Sequence, residues 1–516
     1  MIHRSGTAAI HIPDTSLSAH VLAKAPALGD RPALVDAETG EVVTYAGLVR
    51  SVERGASGLA GIGVGQGDVV AVMSHNQPRF AVVVHAALGA GAAVSPLNPA
   101  LTVDEIAKQL ADSGACVLVV AEACAAKGYA AAQRTGGCRV LTIGEPSRPG
   151  SWDVLVTEAA GVHPVPEIDP ASTPAALPYS SGTTGLPKGV VLTHRNLVAN
   201  LEQIRHSWRI TETDTVCAVL PFFHIYGFTI ILNSALLAGA TIVTMPRFEL
   251  RRYLETVERH RVTRGHLAPP MVLALARSEE AGAYDLSTMR TAVCGAAPLD
   301  EELAALAEQC IGCVIRQGYG MTEAGPGTHA TPDEDFAAVP AGSVGRLLPG
   351  TEARLVDVTT GRDADGAAAG ELWVRGPQVM AGYLGNRAAT EETLVDGWLR
   401  TGDIARVDAK GNFYVVDRLK ELIKYKGYQI APAELEALLI SHPDIADAAV
   451  VAMPHPTGGE APKAFVVPCR PLDPRTLLEW VGDRVAPYKR IRTVEFVDTI
   501  PKSPAGKILR RELKNA

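Results

Sequence analysis

Tyr179-Ser180-Ser181-Gly182-Thr183-Thr184-Gly185-Leu186-Pro187-Lys188-Gly189 is the stretch on which the reading of this chain turns. A short apolar strand precedes it, and a second, at 190–192, follows. Gly182 and Gly185 allow close backbone approach, since a residue without Cβ neither clashes nor restricts φ. The hydroxyls of Ser180, Ser181, Thr183 and Thr184 and the Lys188 ammonium supply hydrogen-bond donors with no fixed negative charge. That inventory suits a polyphosphate. The loop is not of the GxxxxGK[ST] type, because Lys188 is followed by Gly189. On composition alone a plain Ser/Thr/Gly-rich turn would serve as well.

The surrounding chain has 516 residues, 47% of them hydrophobic and 20% charged, which allows a large core and two to four domains. A net charge of -8 argues against broad contact with nucleic acid or an anionic membrane, so an anion site must be a local device. The eight cysteines are scattered, and no second CxxC accompanies Cys310 and Cys313; zinc would need about four ligands. Reduced thiols in a cytoplasmic protein are expected. Residues 1–14 hold no apolar run of signal-peptide length. The uncharged stretches 80–100 and 215–246 are cut by Gly and Pro, short of the roughly 20 apolar residues that a spanning helix needs. Neither a transmembrane segment nor a stable protein partner is evident.

Strand-like runs at 69–73, 117–120 and 140–143 alternate with helical patterns at 80–88 and 299–310. Thr193 reads as an N-cap for a helix carrying Leu197, Leu201, Ile204 and Trp208. Residues 215–246 read as strand, turn, helix and strand. Continuous apolar strands between helices predict an α/β fold of mostly parallel sheets covered on both faces. Past about residue 340, shorter alternating strands at 352–358 and 371–375 predict a small β-subdomain. From Pro432 onward, helices at 432–442 and 474–485 and strands at 448–452, 464–467 and 493–497 predict a compact α+β unit. The expected division is 1–416 and 417–516.

The phosphate loop closely resembles the signature of the acyl-adenylate-forming superfamily, which includes acyl-CoA synthetases, peptide-synthetase adenylation domains and firefly luciferases. Further stations follow in the family's order over nearly the whole chain. Pro221-Phe-Phe-His-Ile-Tyr-Gly227 resembles the acyl-pocket motif, with His224 near the carboxylate and thiol channel. Gly295-Ala-Ala-Pro298 resembles the loop against adenine, placing Ala296 there. Gln317-Gly-Tyr-Gly-Met-Thr-Glu323 resembles the adenine and metal motif: the resemblance puts Gln317, Gly318 and Tyr319 at the nucleotide, Thr322 on the α-phosphate and Glu323 on Mg²⁺. A lone carboxylate suits Mg²⁺, which takes one or two carboxylates plus phosphate oxygens. Trp398-Leu-Arg-Thr-Gly-Asp403 resembles the ribose motif.

Residues 411–427 match the hinge motif, with Asp417 as pivot of a mobile C-terminal domain and Arg418 and Lys420 at the nucleotide. The string Lys424-Tyr-Lys-Gly-Tyr-Gln429 follows, and Pro501-Lys-Ser-Pro-Ala-Gly-Lys507 resembles the mobile catalytic-lysine loop. The resemblance implies two half-reactions: adenylation with ATP, in which Lys507 screens carboxylate and phosphate, then thioester formation with coenzyme A. Lys424 and Gln429 would face the site in one state, and Lys426 and Gly427 would meet coenzyme A in the other, with Arg247 on the coenzyme's phosphate.

Within the superfamily, the strings resemble 4-coumarate:CoA ligases and their bacterial cinnamate relatives, which implies an aryl acid. Tyr226, Ile230, Ala296, Gly318, Gly320 and Pro326 would line its pocket. Gly327 stands where plant members usually carry Val, which leaves the shape of the pocket's end open. A medium-chain fatty-acyl-CoA synthetase and a luciferase-like oxygenase are the alternatives. A peptide-synthetase domain would need an acidic anchor for an α-amino group, and Phe223-His224-Ile225 offers none.

Overall fold

Val69–Met73 is buried at every position because strands flank it on both sides: Ala93–Leu97 and Ala115–Ala121 pair with it in parallel. Arg139–Ile143 adds a further parallel strand. At the other edge come Pro174–Ala176, Lys188–Thr193 and Gly382–Tyr383, the last two joining antiparallel. A second sheet runs in the order Val314–Gln317, Thr291–Cys294, Arg264–Leu267, Thr215–Ala218, Thr241–Thr244, Pro32–Asp36 and Val42–Thr44. It is parallel except for the final hairpin. The computed structural model describes residues 1–7, 10–144, 150–159, 166–180, 187–364, 368–419, 421–425, 428–455, 459–485, 487–503 and 506–515, the side chains of Lys424, Tyr428, Gln429 and Asn515 excepted.

Helix Pro78–Gly89 touches strands of both sheets and is buried along nearly its whole length. A helix enclosed in this way needs no polar stripe, which is why 80–88 reads as continuously apolar. Helix His194–Ser207 starts where expected. Thr193 Oγ1 accepts from Asn196 N–H, and the Asn196 side chain returns to Thr193 N–H at 3.0 Å. Trp208, expected as the helix's last apolar residue, lies just past its end in extended conformation. Its indole N–H donates to Thr331 O at 3.0 Å, and that tertiary bond sets the exit of the chain.

The strands after residue 340 form an antiparallel sheet in which Glu352–Val356, Gly370–Arg375, Trp398–Val407 and Phe413–Arg418 pair in succession. Beyond it, Ile423–Tyr425, Tyr428–Ile430, Ile445–His455, Gly459–Pro468 and Thr493–Phe496 make a five-stranded sheet. Helices Pro432–Ile440 and Pro474–Gly482 cover it. Its core, including Ile423, Leu435, Leu439, Val450, Val466 and Leu477, is separate from the core of the preceding sheets. Among the described residues no helix is long and apolar enough to cross a membrane.

Candidate active site

The phosphate-loop residues Ser181, Gly182, Thr183, Thr184 and Gly185 lie outside the described residues. Their flanks pair antiparallel, Ser180 opposite Lys188 and Tyr179 opposite Gly189. Ser180 Oγ donates to Glu323 Oε1 at 2.7 Å, and the Tyr383 hydroxyl donates to the same oxygen at 2.9 Å. The Lys188 ammonium stands 4.5 Å from the centre of the Tyr383 ring. Ser180, Lys188, Glu323 and Tyr383 therefore form one cluster, with Glu323 only 5% exposed on the short turn Thr322–Ala324. Thr322 opens that same turn.

Tyr383 was not among the expected site residues. A tyrosine between glycine and leucine reads as ordinary strand; only the pairing of Gly382–Tyr383 with Val190 and Val191 brings it to Glu323.

A second cluster surrounds Asp403, which is 4% exposed. The Tyr319 hydroxyl donates to Asp403 Oδ2 at 2.5 Å, and Arg418 Nε lies 3.1 Å from Oδ1. Antiparallel pairing of Asp403 with Arg418 creates the second contact. Burial pushes the Asp403 carboxyl up, with Arg418 and the Tyr319 hydroxyl pulling it down. Tyr319 packs edge-on against His329, which packs in turn on Phe413. Both carboxylate oxygens of the expected ribose acid are thus engaged here, one of them by the tyrosine expected at the purine.

Lys507 enters this second cluster. Burial and the neighbouring Arg418 guanidinium lower its ammonium, while Glu421 and Asp403 act in the opposite direction. Its turn is closed by Ser503 N–H to Lys507 O at 2.8 Å and Gly506 N–H to Ser503 O at 2.8 Å. Gly506 has φ +83°, and a Cβ there would stand 2.9 Å from Pro270 Cδ. Glycine is required on both counts. At the far end of helix Pro269–Ala276, Arg277 donates to the carbonyls of Ala446 and Ile445. Both ends of that helix therefore hold the C-terminal unit with Lys507 turned towards Asp403.

The acyl motif is positioned by Asn76, a residue that sequence reading passed over. Its Nδ2 donates to Ala218 O and Leu220 O, and its Oδ1 accepts from Phe222 N–H at 2.8 Å. Gly227 fits because a Cβ would fall 2.0 Å from Pro221 O. The chain then runs into a π-helical stretch, Tyr226–Asn233, a form often found at functional sites. His224 Nδ1 accepts from Tyr226 N–H at 3.3 Å, and burial lowers the imidazole to about 4, so the ring is neutral with its proton on Nε2. Ile230 is buried. Gly318 N–H donates to Cys294 O, Gly320 opens the pairing with Gly327, and Pro326 O accepts from Met321 N–H. Ala296 adopts φ +73°, a left-handed conformation uncommon for a residue with Cβ.

Gln317 is buried, but its amide binds protein: it bonds Leu299 N–H and Leu299 O and donates to Ala341 O. It braces the chain at Leu299 against the chain at Ala341. Arg247 lines a cleft of about 420 Å³ that does not include Asp403, together with Arg252, Arg259, His260, Glu38 and Glu255. Lys424 and Gln429 are directly paired across two short strands. Lys420, Lys426 and Gly427 lie outside the described residues.

The sequence matches the AMP-binding enzyme family over residues 22–384 and the AMP-binding enzyme C-terminal domain over 434–507. It is 42% identical to 4-coumarate–CoA ligase 5 of Oryza sativa subsp. japonica, covering 99% of this chain and 97% of that protein. It is 40% identical to peroxisomal OPC-8:0-CoA ligase 1 of Arabidopsis thaliana, covering 97% and 93% respectively. The o-succinylbenzoate CoA synthetase of Bacillus subtilis, solved with its acyl-adenylate intermediate, superimposes with a TM-score of 0.82 at 30% identity, over 98% of this chain and 99% of that one.

Proposed function

The chain belongs to the AMP-binding enzyme family and is an AMP-forming acyl-CoA ligase, and from that premise we propose that it activates a 4-coumarate- or cinnamate-type aryl acid. ATP and coenzyme A are its co-substrates. In the first half-reaction the acid's carboxylate oxygen attacks the α-phosphorus of ATP, the bond to the β-phosphate oxygen breaks, and pyrophosphate leaves. In the second, the thiol of coenzyme A loses its proton, sulfur bonds the acyl carbon, and AMP leaves.

The observation that carries this reading is that the charges of Arg418 and Asp403, themselves paired at 3.1 Å, act on the buried Lys507 ammonium. A cation there offsets the charge that builds up as two anions approach, the main demand of nucleotidyl transfer. Asp403 and Arg418 hold the ribose, with the Tyr319 hydroxyl giving way. Ser180 and Lys188 hold the terminal phosphates, together with the loop between them, and Thr322 holds the α-phosphate. Glu323 suits Mg²⁺: its two hydrogen bonds both go to Oε1, and among the described residues nothing bonds Oε2. That ion, when bound, supplies charge screening for the phosphates.

We assign 1–416 and 417–516 as the two domains, with Asp417 as hinge, supported by the separate core after Ile423. Asp417 accepts from Arg418 N–H and Ala433 N–H, bridging the end of one sheet and the first helix beyond it. Rotation there withdraws Lys507 and offers the other face of the C-terminal domain for thioester formation, with Lys424 and Gln429 facing the site in one state and Lys426 and Gly427 against coenzyme A in the other. The cleft around Arg247, whose three arginines outnumber Glu38 and Glu255, takes the coenzyme's phosphate. Eight free thiols support a reducing, cytoplasmic setting.

A medium-chain fatty-acid substrate is the second reading, since a mainly apolar pocket discriminates weakly between isosteric tails. Pyrophosphate release measured over cinnamates, benzoates and C6–C12 fatty acids separates the two. The proposal expects 4-coumarate to exceed octanoate in kcat/KM by about tenfold or more; a fatty acid at the top would overturn it.

A further inference from the structure

Behind Tyr226 lies a polar side chain that the reaction does not use. His266 stands on strand Arg264–Leu267, opposite Val293, and is 2% exposed. Its ring packs edge-on against Tyr226, with centroids 5.9 Å apart, and at a tilt against Trp208 at the same distance. Around them Ile230, Val293, Phe336 and Trp208 form an apolar cluster. A histidine in such a place has lost its water and needs partners for both nitrogens.

One partner is present. The Tyr226 hydroxyl donates to Val293 O at 3.4 Å and lies 3.3 Å from His266 Nδ1. With the tyrosine proton directed to the carbonyl, Nδ1–H donates to the tyrosine oxygen and Nε2 is left as an acceptor. Burial, aided by Arg264, lowers the imidazole to about 3, so the ring is neutral. Among the described residues Nε2 has no hydrogen-bond partner. His85 and His329 also have unpartnered Nε2 atoms, but those are sealed from solvent, and that of His266 is not. The Tyr226 ring touches Gly295 of the adenine-side loop, where an added Cβ would stand 3.1 Å from Cε1. Its hydroxyl, 3.6 Å from that same position, reaches His266 in turn, so the imidazole stands behind the ring expected to border the acid.

We propose that His266 Nε2 accepts a hydrogen bond from a hydroxyl at the far end of the bound acid, making the ligase selective for hydroxylated aryl acids. The chain would run from the ligand hydroxyl to His266, from His266 to Tyr226 and from Tyr226 to Val293 O, with every donor matched to an acceptor. An unsubstituted ring leaves Nε2 unpaired in an apolar pocket, and a methoxy group offers no proton. Sites built to bond a hydroxyl discriminate strongly against analogues that lack it.

The inference rests on the aryl-acid reading, so the test compares kcat/KM for 4-coumarate, cinnamate and 4-methoxycinnamate in the intact enzyme and in His266→Phe. The wild type is expected to favour 4-coumarate over both others by roughly tenfold or more. His266→Phe should bring the three within about threefold of one another, chiefly through loss on 4-coumarate. Tyr226→Phe keeps the ring, removes the relay and should lower the same ratio; it serves if His266→Phe does not fold. Unchanged ratios in the folded variants, or equal loss on all three acids, overturn the assignment of His266. Turnover of none of the three by the wild type overturns the aryl-acid reading, and this inference with it.

Discussion

At the scale of single residues, the site is a set of side chains whose charges are held by neighbours far away in sequence. Glu323 is the clearest case, since its carboxylate is fixed by hydroxyls from Ser180 and Tyr383. Tyr383→Phe removes one of them without disturbing the ring against Lys188. Pyrophosphate release titrated with Mg²⁺ should then show about a threefold to tenfold higher metal requirement, in line with the loss of an orienting hydrogen bond. An unchanged requirement would separate Tyr383 from the metal site. Glu323, Asp403, Arg418 and Lys507 were legible in the sequence because each sits in a distinctive string. Tyr383, Asn76 and His266 were not, because a tyrosine or histidine in an apolar strand is indistinguishable from core, and Asn76 from an ordinary turn residue, until the sheets are assembled. Gln317 was legible as part of a motif, but its bracing of Leu299 and Ala341 depends on loop packing that no spacing encodes.

Among elements, caps decided the boundaries more than apolar periodicity did. The helix expected at 299–310 starts at Glu301, because the Asp300 carboxylate accepts from Glu302 N–H and Leu303 N–H. The hairpin Ile445–His455 and Gly459–Pro468 runs well beyond the apolar runs at 448–452 and 464–467, since backbone pairing continues where side-chain alternation fades. Thr193 joins the strand after the phosphate loop to helix His194–Ser207, and Thr193→Ala loses both bonds of its hydroxyl, the one accepted from Asn196 N–H and the one donated to Asn196 Oδ1, while the backbone bond of the capping box remains. Chemical denaturation should show about 1 kcal/mol of destabilisation, within the usual range for a lost N-cap. No change in the midpoint would mean that the strand alone sets the helix start.

For the whole molecule, acid stability follows from its buried imidazoles. Burial lowers His85 and His194 to about 4, and burial also holds His329 at about 3. Between pH 6.5 and 4 the unfolded chain binds protons that these folded groups refuse, so stability is lost as pH falls through that window. Asp417 acts in the opposite sense: burial raises it to about 7, so its contribution falls as pH rises from about 4 to 7. The histidines outnumber it, and thermal melts should show Tm falling steadily from pH 6.5 to 4.5; a flat Tm across that range would contradict the balance.

Which face the C-terminal unit turns to the site could not be read from sequence, because both faces carry family-like lysines. The structure turns Lys507 inward, where the charges of Arg418 and Asp403 act on its ammonium, with Gly506 on Pro270 and Arg277 on the carbonyls of Ile445 and Ala446. The most direct test of that arrangement is to assay both half-reactions of Lys507→Ala, adenylate formation from acid and ATP and thioester formation from supplied acyl-adenylate and coenzyme A. Adenylation should fall by about a hundredfold or more, as for loss of a principal electrostatic group, while thioester formation stays within about threefold of the wild type. Equal loss of both half-reactions would contradict the assignment of Lys507 to the adenylating state.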